Sequence, residues 1–416
     1  MEAIQQQLIN AQQAKSSIAS LSDEGKQKLL RRLSAVILEN TDTIIAENLK
    51  DLEKMADADP KKDRLLLNVQ RIKGLAESLN DVAALPDPAN RTLSASTMPN
   101  GLFIEKKTVA LGVVGVIYES RPNVTIDVAA LCIRSGNVSL LRGGQDAFHT
   151  NSCLVGLIQD VLLESGLDGN VVQQLPADRK YILDILQAVK YIDVIIPRGS
   201  NELISFVRTH AMVPVIETGA GVCHTYVEET ADITNAAAII VNAKVSRPSV
   251  CNALDTVLVD RSVATVLLTE LAPRLSAYQV EIFADATAFE ILDQLEYKYL
   301  QAASPEDYGR EFLDFKCSVK VVDTFEEVLT HIAAYSSKHS EAILTEDREK
   351  TEQFLNDVDA AVVYVNASTR FTDGQVFGLG AEIGISTQKL HARGPFALEK
   401  LVTEKWIVRG QGQIRG

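Results

Sequence analysis

The sequence predicts an α/β protein made of two units, each with a parallel sheet covered by helices, together with a small β arm. Between residues 113 and 216, short apolar runs of the buried-strand type alternate with helix-type runs, which indicates a parallel sheet with helices on both faces. A second alternation of this kind follows residue 217. Between residues 91 and 110 the pattern is extended, and Asn100-Gly101 is typical of a hairpin.

Length and composition restrict the classes of function. The chain has 416 residues, enough for two or three domains, and its net charge of −14 argues against a nucleic-acid partner. The five cysteines are widely spaced without a C-x-x-C pair, and the six histidines form no ligand pair, so we expect no disulfide framework and no metal. This cysteine usage favours the cytoplasm. The N-terminus is not of signal-peptide type, and no apolar run approaches the roughly 20 residues that span a bilayer, so we expect no membrane partner.

The first 84 residues read as helices. Ser22 followed by two acids predicts one helix start, and Thr41-Asp42 predicts a second. A loop is expected over 57–63, and Pro86 and Pro88 mark a firm break.

The elements that follow are predicted in order along the chain. In the first unit we expect strands at 113–118, 138–141, 171–172, 193–196 and 213–216, and helices at 124–133, 147–164, 181–189 and 202–209. In the second unit we expect helices at 236–244, 263–275 and 325–335, strands at 256–259, 281–283, 319–322, 342–344 and 361–365, and a last strand at 403–408. Ligands of such sheets bind beyond the carboxyl ends of strands, so the loops after residues 118, 141 and 196 are candidate sites.

Two of these loops have the composition of a phosphate site. The usual G-x-G-x-x-G and P-loop fingerprints are absent. Arg142-Gly143-Gly144-Gln145 and Arg198-Gly199-Ser200 each follow a strand and open a helix, where glycine and a helix N-terminus favour an anion. A simple turn is the alternative for either loop alone.

Cys251 is the candidate nucleophile. It follows a polar, proline-containing break, and Arg247 lies four residues away, where a cation favours the reactive thiolate. An inert packing cysteine is the alternative, and Cys223 is the competing thiol. Glu217 ends a predicted strand and is either a general base or a structural acid.

Several segments resemble the aldehyde dehydrogenase superfamily. Its first strand is similar to Gly112-Val113-Val114-Gly115, and its A-G-N segment is similar to Ser135-Gly136-Asn137. Its G-S-T-E loop is similar to Arg198–Glu202, its E-L-G-G motif to Glu217–Ala220, and its E-I-F-G motif to Glu311–Asp314. Cys251 lies where the catalytic cysteine of the superfamily falls. The resemblance implies a Rossmann-type cofactor domain (1–90 and 111–217), a second α/β catalytic domain (218–402) and oligomerisation strands (91–110 and 403–416). An alternative is that the C-terminal part of 218–402 returns to the cofactor domain.

Other segments resemble the branch of that superfamily that reduces gamma-glutamyl phosphate. They are Tyr118–Asn123, Glu217–His224, Arg247–Asn252, Arg370–Gly374 and His391–Pro395. The implied activity is an NADPH-dependent reduction of L-glutamyl 5-phosphate to L-glutamate 5-semialdehyde, with release of phosphate through a cysteine thioester, in proline biosynthesis. Alternatives are a CoA-linked aldehyde dehydrogenase and a catalytically silent scaffold.

The resemblance also implies roles for individual residues. Glu311 is expected to bind the nicotinamide ribose, and Asn123, or Arg121 in its place, to donate to the oxyanion. Arginines in Gly/Pro-flanked loops suit a substrate with phosphate and carboxylate groups, with loop bracing as the alternative for each; they are Arg121, Arg247, Arg370 and Arg393, the first two ranked highest.

The expected cofactor is NADP(H) and the expected assembly a homodimer or tetramer. At this position the superfamily has a lysine, followed by an acid three residues later, whereas this chain has Arg142 and Gln145. Arg142 would attract a ribose 2′-phosphate, and Gln145 lacks the negative charge with which the acid would repel it. Gly143 and Gly144 are expected to leave room for it. The polar centre of 103–109 suits an exposed edge that pairs with a partner strand. Association with the glutamate 5-kinase that makes the acyl phosphate is left open.

Overall fold

A computed structural model describes residues 2–56, 61–119 and 121–415, apart from the side chains of residues 2, 3, 61 and 201. The chain forms two compact units. The first comprises Met1–Thr218, Gly378–Gly384 and Pro395–Gly416, and the second comprises Gly219–Phe377 and Ile385–Gly394. The border between the units falls at residue 218, and the segments 378–384 and 395–416 belong to the first unit. Within the described ranges, no helix has both the length and the apolar character needed to cross a bilayer.

The first unit begins with helices. Ser22 caps α2 by accepting a hydrogen bond from the Gly25 N–H, as its sequence position predicted. The expected loop at 57–63 is wrong in its last part, because a short helix begins at Lys61; residues 57–60 lie outside the described residues. The helices are α1 (Glu2–Ala19), α2 (Asp23–Glu39), α3 (Thr41–Leu52), α4 (Lys61–Leu65) and α5 (Val69–Ala84).

The strands and helices of the sheet in the first unit follow. The strands are β1 (Thr92–Thr97), β2 (Phe103–Ala110), β3 (Val113–Tyr118), β4 (Val138–Arg142), β5 (Val172–Gln174) and β6 (Val194–Arg198). The helices are α6 (Pro122–Ser135), α7 (Phe148–Glu164), α8 (Ile182–Leu186) and α9 (Asn201–His210). Strands β5, β4, β3 and β6 form one parallel sheet in that order, which confirms the predicted arrangement.

Two predicted elements differ from the observed ones. The expected strand at 213–216 is reduced to an isolated bridge between Val215 and Ile195, because Pro214 within it has no N–H to continue a ladder. The helix expected over 181–189 is shorter in the structure, where α8 ends at Leu186. The residues that follow form turns, and Ile192 at their end is buried in the core.

The second unit contains a seven-stranded parallel sheet in the order β10-β9-β11-β8-β7-β12-β13. Its strands are β7 (Cys223–Val227), β8 (Leu254–Asp260), β9 (Glu281–Ala284), β10 (Leu300–Ala302), β11 (Lys316–Val322), β12 (Ser340–Leu344) and β13 (Val362–Val365). Its helices are α10 (Ile233–Val245), α11 (Arg261–Ser276), α12 (Ala286–Gln294), α13 (Phe325–Tyr335) and α14 (Arg348–Asp357). The core of this unit packs α10, α11 and α12 against the sheet around Val257, Leu268 and Val319.

The last strands close the chain. They are β14 (Glu382–Ser386), β15 (Gly394–Ala397) and β16 (Val402–Arg409). Strand β16 pairs antiparallel with β2 along eight positions, and β2 pairs antiparallel with β1, so the two segments expected to serve oligomerisation form one three-stranded sheet within the chain. In that sheet β1 and β16 are the outer strands.

Candidate active site

The candidate nucleophile lies at the amino ends of the strands of its sheet. Cys251 is half-buried in a turn that ends just before β8, and the neighbouring strands β7 and β12 begin at Cys223 and Ser340. Its position therefore does not follow the carboxyl-end rule that selected the loops of the first unit. The position of Cys251 is set instead by the loops that lead into the three adjacent strands β8, β7 and β12.

A glycine allows these loops to approach each other closely. A Cβ placed on Gly221 would lie 1.4 Å from the Cys251 carbonyl oxygen, so only glycine fits there. The Gly221 N–H donates to Glu311 Oε1 at 2.9 Å. Burial raises the pKa of the Glu311 carboxyl, and the Gly221 hydrogen bond opposes that shift. The structure thus brings Glu311 to the loop that contacts Cys251, where the Glu311 carboxyl binds the backbone N–H of Gly221.

A buried carboxyl anchors the segment that carries Glu311. Asp255, on β8, accepts a hydrogen bond from the Phe312 N–H at 3.0 Å and lies 3.8 Å from Lys244 Nζ. Burial raises the pKa of Asp255 to about 7. Because Asp255 follows Cys251 by only four residues, one strand positions both the nucleophile and the Glu311 segment.

Cys223, the competing thiol, is fully buried beside the candidate nucleophile. Its Sγ lies 3.3 Å from the Cys251 carbonyl oxygen and 4.0 Å from His339 Nδ1. Burial raises the pKa of the Cys223 thiol well above its usual value. A thiol held protonated and away from solvent is a poor nucleophile, so this environment supports Cys251 over Cys223.

One of the four candidate arginines, Arg370, lies near both Cys251 and a second candidate, Arg247. The Arg370 guanidinium donates from Nε to Ser246 Oγ at 3.0 Å and from Nη1 to Asn252 Oδ1. Burial lowers the pKa of Arg370, the nearby charge of Arg247 lowers it further, and Cys251 acts in the opposite direction. The thiol therefore lies within the electrostatic reach of a fixed guanidinium, which favours the thiolate. Arg247 itself is exposed.

Arg393 is engaged by a carboxylate. Its Nη1 donates to Asp359 Oδ1 at 2.7 Å, while Lys338 and Lys389 approach the other oxygen of Asp359. These three cations hold the pKa of Asp359 well below its usual range. The pairing occupies Nη1 of Arg393, whereas within the described residues its buried Nε and Nη2 have no hydrogen-bond partner.

In the first unit, the Arg198–Ser200 loop already holds an anion. Glu119, just beyond β3, accepts hydrogen bonds from Ser200 N and from Ser200 Oγ, both at 3.1 Å. A Cβ on Gly199 would lie 2.7 Å from the Glu119 carboxylate, so the turn is shaped around that group. Ser200 is also the N-cap of α9, where the helix N-terminus favours negative charge. The carboxylate shows that this turn accepts an anion, although Glu119 was not among the predicted residues.

The second glycine loop is closely packed at Gly143. A Cβ on Gly143 would meet the Asn151 amide at 2.3 Å and the Tyr118 ring at 3.3 Å, so this glycine serves close packing within the unit. The expectation that Gly143 leaves room for a 2′-phosphate stays a prediction. Gly144 follows Gly143, and Gln145 is exposed beside it at the start of a short helical turn.

Arg142 retains the features of an anion-binding residue. Its Nη2 donates to the Ala177 carbonyl at 2.7 Å, whereas within the described residues its buried Nε has no hydrogen-bond partner. Burial and the neighbouring charge of Arg179 lower the pKa of Arg142, while Asp178 opposes that shift. The hydrogen bond of Arg142 is made to a carbonyl oxygen and not to an acid. Arg179 comes from a loop 37 positions later in the sequence, so no local pattern could have associated it with Arg142.

The remaining candidates have local partners in the first unit. Asn123 is exposed and donates to Asp127 at 3.2 Å, and Arg121 is the residue just before α6. Glu217 lies 3.6 Å from Arg208 of α9. This ion pair supports the structural alternative for Glu217 over the general base.

The residues present fit a nicotinamide dinucleotide in its anionic parts. The Ser200 turn and the buried Arg142 Nε supply donors of the kind that phosphates require, and Glu119 would have to leave the turn for a phosphate to enter. Among the described residues, no group of three or more His, Cys, Asp or Glu side chains is placed to hold a metal ion.

Comparisons with known proteins identify the family to which the chain belongs. The model of the aldehyde dehydrogenase family matches residues 1–289. A gamma-glutamyl phosphate reductase from Chlorobaculum parvum is 53% identical over 100% of this chain and 99% of the relative, and one from Bacteroides fragilis is 49% identical over 97% of each. The crystal structure of a gamma-glutamyl phosphate reductase from Thermotoga maritima superposes with a TM-score of 0.94 at 38% identity, covering 99% of both chains. The chain belongs to the aldehyde dehydrogenase family, in its gamma-glutamyl phosphate reductase branch.

Proposed function

We propose that the protein reduces L-glutamyl 5-phosphate to L-glutamate 5-semialdehyde and releases phosphate, a step of proline biosynthesis. The observation that carries this proposal is the placement of Cys251 in a turn beside the fixed guanidinium of Arg370, in a chain about half identical to reductases named for that substrate. A thiol activated next to cations suits an electrophile whose leaving group is a dianion.

The chain's own residues carry the covalent chemistry. The Cys251 thiolate attacks the γ-acyl carbon, the carbon–oxygen bond to phosphate breaks with its electron pair on oxygen, and a thioester remains on Cys251. A bound nicotinamide cofactor supplies the hydride that takes the acyl group to the aldehyde level. Collapse of the resulting thiohemiacetal on Cys251 frees the aldehyde and returns the sulfur to its starting state. Covalent catalysis divides one difficult displacement into easier steps.

The cofactor that we infer is NADP(H). Arg142 is half-buried with a buried Nε, and Arg179 adds a second positive charge near it. Because Arg179 is exposed, its attraction for a 2′-phosphate is screened in part by solvent. Gln145 contributes no negative charge at the exposed end of the same loop. This support rests on charge at Arg142, Arg179 and Gln145, and not on space at Gly143.

The cofactor preference has its own test. Gln145→Glu should reduce the preference for NADP(H) by on the order of 1–2 kcal/mol, the scale of one close like-charge contact. Arg179→Ala should act in the same direction, and Lys28→Ala, which removes an exposed cation that pairs with Glu24 on α2, is the control. Binding constants for both nicotinamide dinucleotides measured by calorimetry decide the matter. Tighter binding of NADH than NADPH by the unmodified protein would contradict the inference.

One assay tests the proposed activity against its alternatives. With L-glutamate 5-semialdehyde and NADP, turnover should require inorganic phosphate. Replacement of phosphate by CoA with undiminished turnover would indicate a CoA-linked aldehyde dehydrogenase instead. Absence of turnover with either acceptor, in a protein that still binds the cofactor, would indicate a silent scaffold.

We also infer a cytoplasmic location. None of the five cysteines lies in a disulfide, although Cys223 Sγ lies 3.3 Å from the Cys251 carbonyl oxygen, and this fits a reducing compartment. An acyl phosphate hydrolyses readily, so a kinase acting on the γ-carboxylate has to supply it nearby. Direct association with that kinase would appear as co-sedimentation of the two proteins.

A further inference from the structure

The residue after the nucleophile is tied to its surroundings at every polar atom of its side chain. Asn252 is 5% exposed. Its Nδ2 donates to the carbonyls of Thr372, at 2.9 Å, and Arg370, at 3.3 Å, and its Oδ1 accepts from Arg370 Nη1. Its backbone carbonyl accepts from Thr369 Oγ1 at 2.7 Å. One amide therefore joins the nucleophile turn to the segment that carries Arg370.

These bonds fix the plane of the Arg370 guanidinium. Asn252 holds Nη1, and Ser246 Oγ holds Nε at 3.0 Å. A planar group held at two nitrogens has little freedom to rotate, so a guanidinium bound in this way is pre-organised for an oxyanion. Ser246 and Asn252 flank Cys251 in the sequence, so the two anchors of Arg370 belong to the nucleophile turn itself.

The three candidate arginines of this unit are not equivalent. Arg370 lies within electrostatic reach of both Cys251 and Arg247. Arg393 is instead paired with Asp359, where two lysines share the same carboxylate. Arg370 is therefore the candidate arginine whose charge is shown to act on Cys251.

We propose that Asn252 is a positioning residue that fixes the Arg370 guanidinium beside Cys251, and that this guanidinium receives the phosphate leaving group. The inference rests on the proposed function and adds to it, because it assigns phosphate recognition to Arg370 among the candidate arginines. As the sulfur–carbon bond forms and the carbon–oxygen bond breaks, negative charge grows on the departing phosphate oxygens. A guanidinium already fixed at that point stabilises this charge without reorganising.

The kinetic test compares Asn252→Ala with the unmodified protein in the oxidative direction. The KM for inorganic phosphate should rise at least about tenfold, the scale of losing one well-aligned charge-assisted contact, while the KM for the semialdehyde changes much less. Asn48→Ala is the matched control, because Asn48 is also buried and uses its amide for three hydrogen bonds, in the first unit. The control should leave the KM for phosphate unchanged. A folded Asn252→Ala protein whose KM for phosphate matches the unmodified protein would overturn the inference.

If Asn252→Ala does not fold, a second variant tests phosphate recognition by Arg370. Arg370→Lys preserves the charge but cannot be held at two nitrogens, so the KM for phosphate should again rise about tenfold. Lysine that performs as well as arginine would show that a fixed plane is not needed.

Thiol protection separates this inference from the proposed activity. Inorganic phosphate should slow the alkylation of Cys251 by iodoacetamide in the unmodified protein, and Asn252→Ala should need about tenfold more phosphate for equal protection. This experiment involves no turnover, so protection without phosphate-dependent NADP reduction would leave the anion site standing while the proposed reaction fails. If phosphate gives no protection to the unmodified protein, the site assigned to Arg370 is wrong.

Discussion

At the scale of single residues, two cysteines that lie close together in space are expected to differ in nucleophilicity. Cys223 is buried at the start of β7, and burial raises the pKa of its thiol well above the usual value. Cys251 is half-buried, and the charge of Arg370 lies close to it. A thiolate is the nucleophilic form, so the surroundings favour attack by Cys251 although Cys223 Sγ lies 3.3 Å from the Cys251 carbonyl oxygen.

The first prediction follows from that difference. Cys251→Ser should abolish turnover with retained fold and cofactor binding, because a serine hydroxyl has no comparable anion near neutral pH. Cys223→Ser should retain the covalent step. Circular dichroism and cofactor calorimetry check the fold and binding of both variants. Inactivation by iodoacetamide with label on Cys223 and none on Cys251 would reverse the assignment.

At the scale of elements, the loop before β7 depends on a glycine at one position. A Cβ on Gly221 would overlap the Cys251 carbonyl, and backbone cannot move aside as the end of a flexible side chain can. Gly221→Ala should therefore lower the free energy of unfolding by more than about 3 kcal/mol, at or beyond the usual range for overpacking, and should reduce turnover. Urea unfolding measures the first effect.

The control for this prediction is another glycine. In α5 a Cβ on Gly74 would meet nothing within 4 Å, so Gly74→Ala should leave activity unchanged and stabilise the helix by about 0.5–1 kcal/mol. If Gly221→Ala unfolds at the same urea concentration as the unmodified protein, the close approach of the two loops is not a requirement of the fold.

A buried histidine on α13 makes stability depend on pH. His331 packs against the rings of His224, Tyr308 and Tyr335, and its Nδ1 lies 3.4 Å from Lys320 Nζ. Burial, followed by the charges of His224 and Lys320, lowers the pKa of His331 to about 3. The unfolded chain takes up a proton near its ordinary pKa while the folded protein does not, so stability is lost as the pH falls from about 6.5 towards 3.

The third prediction uses His331→Phe, which keeps a ring but cannot titrate. Between about pH 6.5 and 5 the unmodified protein should lose about 2 kcal/mol that the variant keeps. The difference between the two unfolding free energies isolates the imidazole. The subtraction also cancels the contribution of Asp255 to the pH dependence of stability. Because the pKa of Asp255 is about 7 in the folded protein, that contribution falls as the pH rises from about 4 to 7. A difference that stays constant with pH would mean that His331 is not held neutral.

The elements that hydrophobic pattern predicted best are those with local signals. Ser22 capped α2 as expected, and the alternating runs of the first unit became β3 to β6. β7 was missed although it lies near the centre of the larger sheet, because Cys223–Val227 includes a histidine and a threonine that are fully buried and paired through the sheet. His224 is accommodated there by Glu341 at 3.0 Å, a partner 117 positions away that no local pattern contains.

At the scale of the whole molecule, the site was predictable where its chemistry is local. Cys251 and the Ser200 turn carry their evidence in neighbouring residues, a cation in one case and a helix N-terminus in the other. Asn252 and Arg179 were not predictable, because each acts through a partner far away in the sequence: Arg370 for the first and Arg142 for the second. Long-range pairing is a property of the fold, so it emerges only when the sheets are assembled.

The last prediction concerns assembly. The three-stranded sheet of β1, β2 and β16 has β16 as an outer strand, with Trp406 61% and Val408 54% exposed. An outer strand with apolar side chains is a site where another strand can add, and we expect a homodimer or a dimer of dimers built through this sheet. Deletion of residues 404–416 removes most of β16, including six of its eight paired positions from Glu404 to Arg409, and should yield monomers in sedimentation.

Deletion of 410–416 alone is the matched control, because it leaves β16 complete and should preserve the assembly. The two truncations differ only in six strand residues, so a change in mass between them must come from the strand and not from the loss of a tail. If the longer truncation keeps the full oligomeric mass, the subunits associate through another surface. In that case the exposure of Trp406 needs a different explanation.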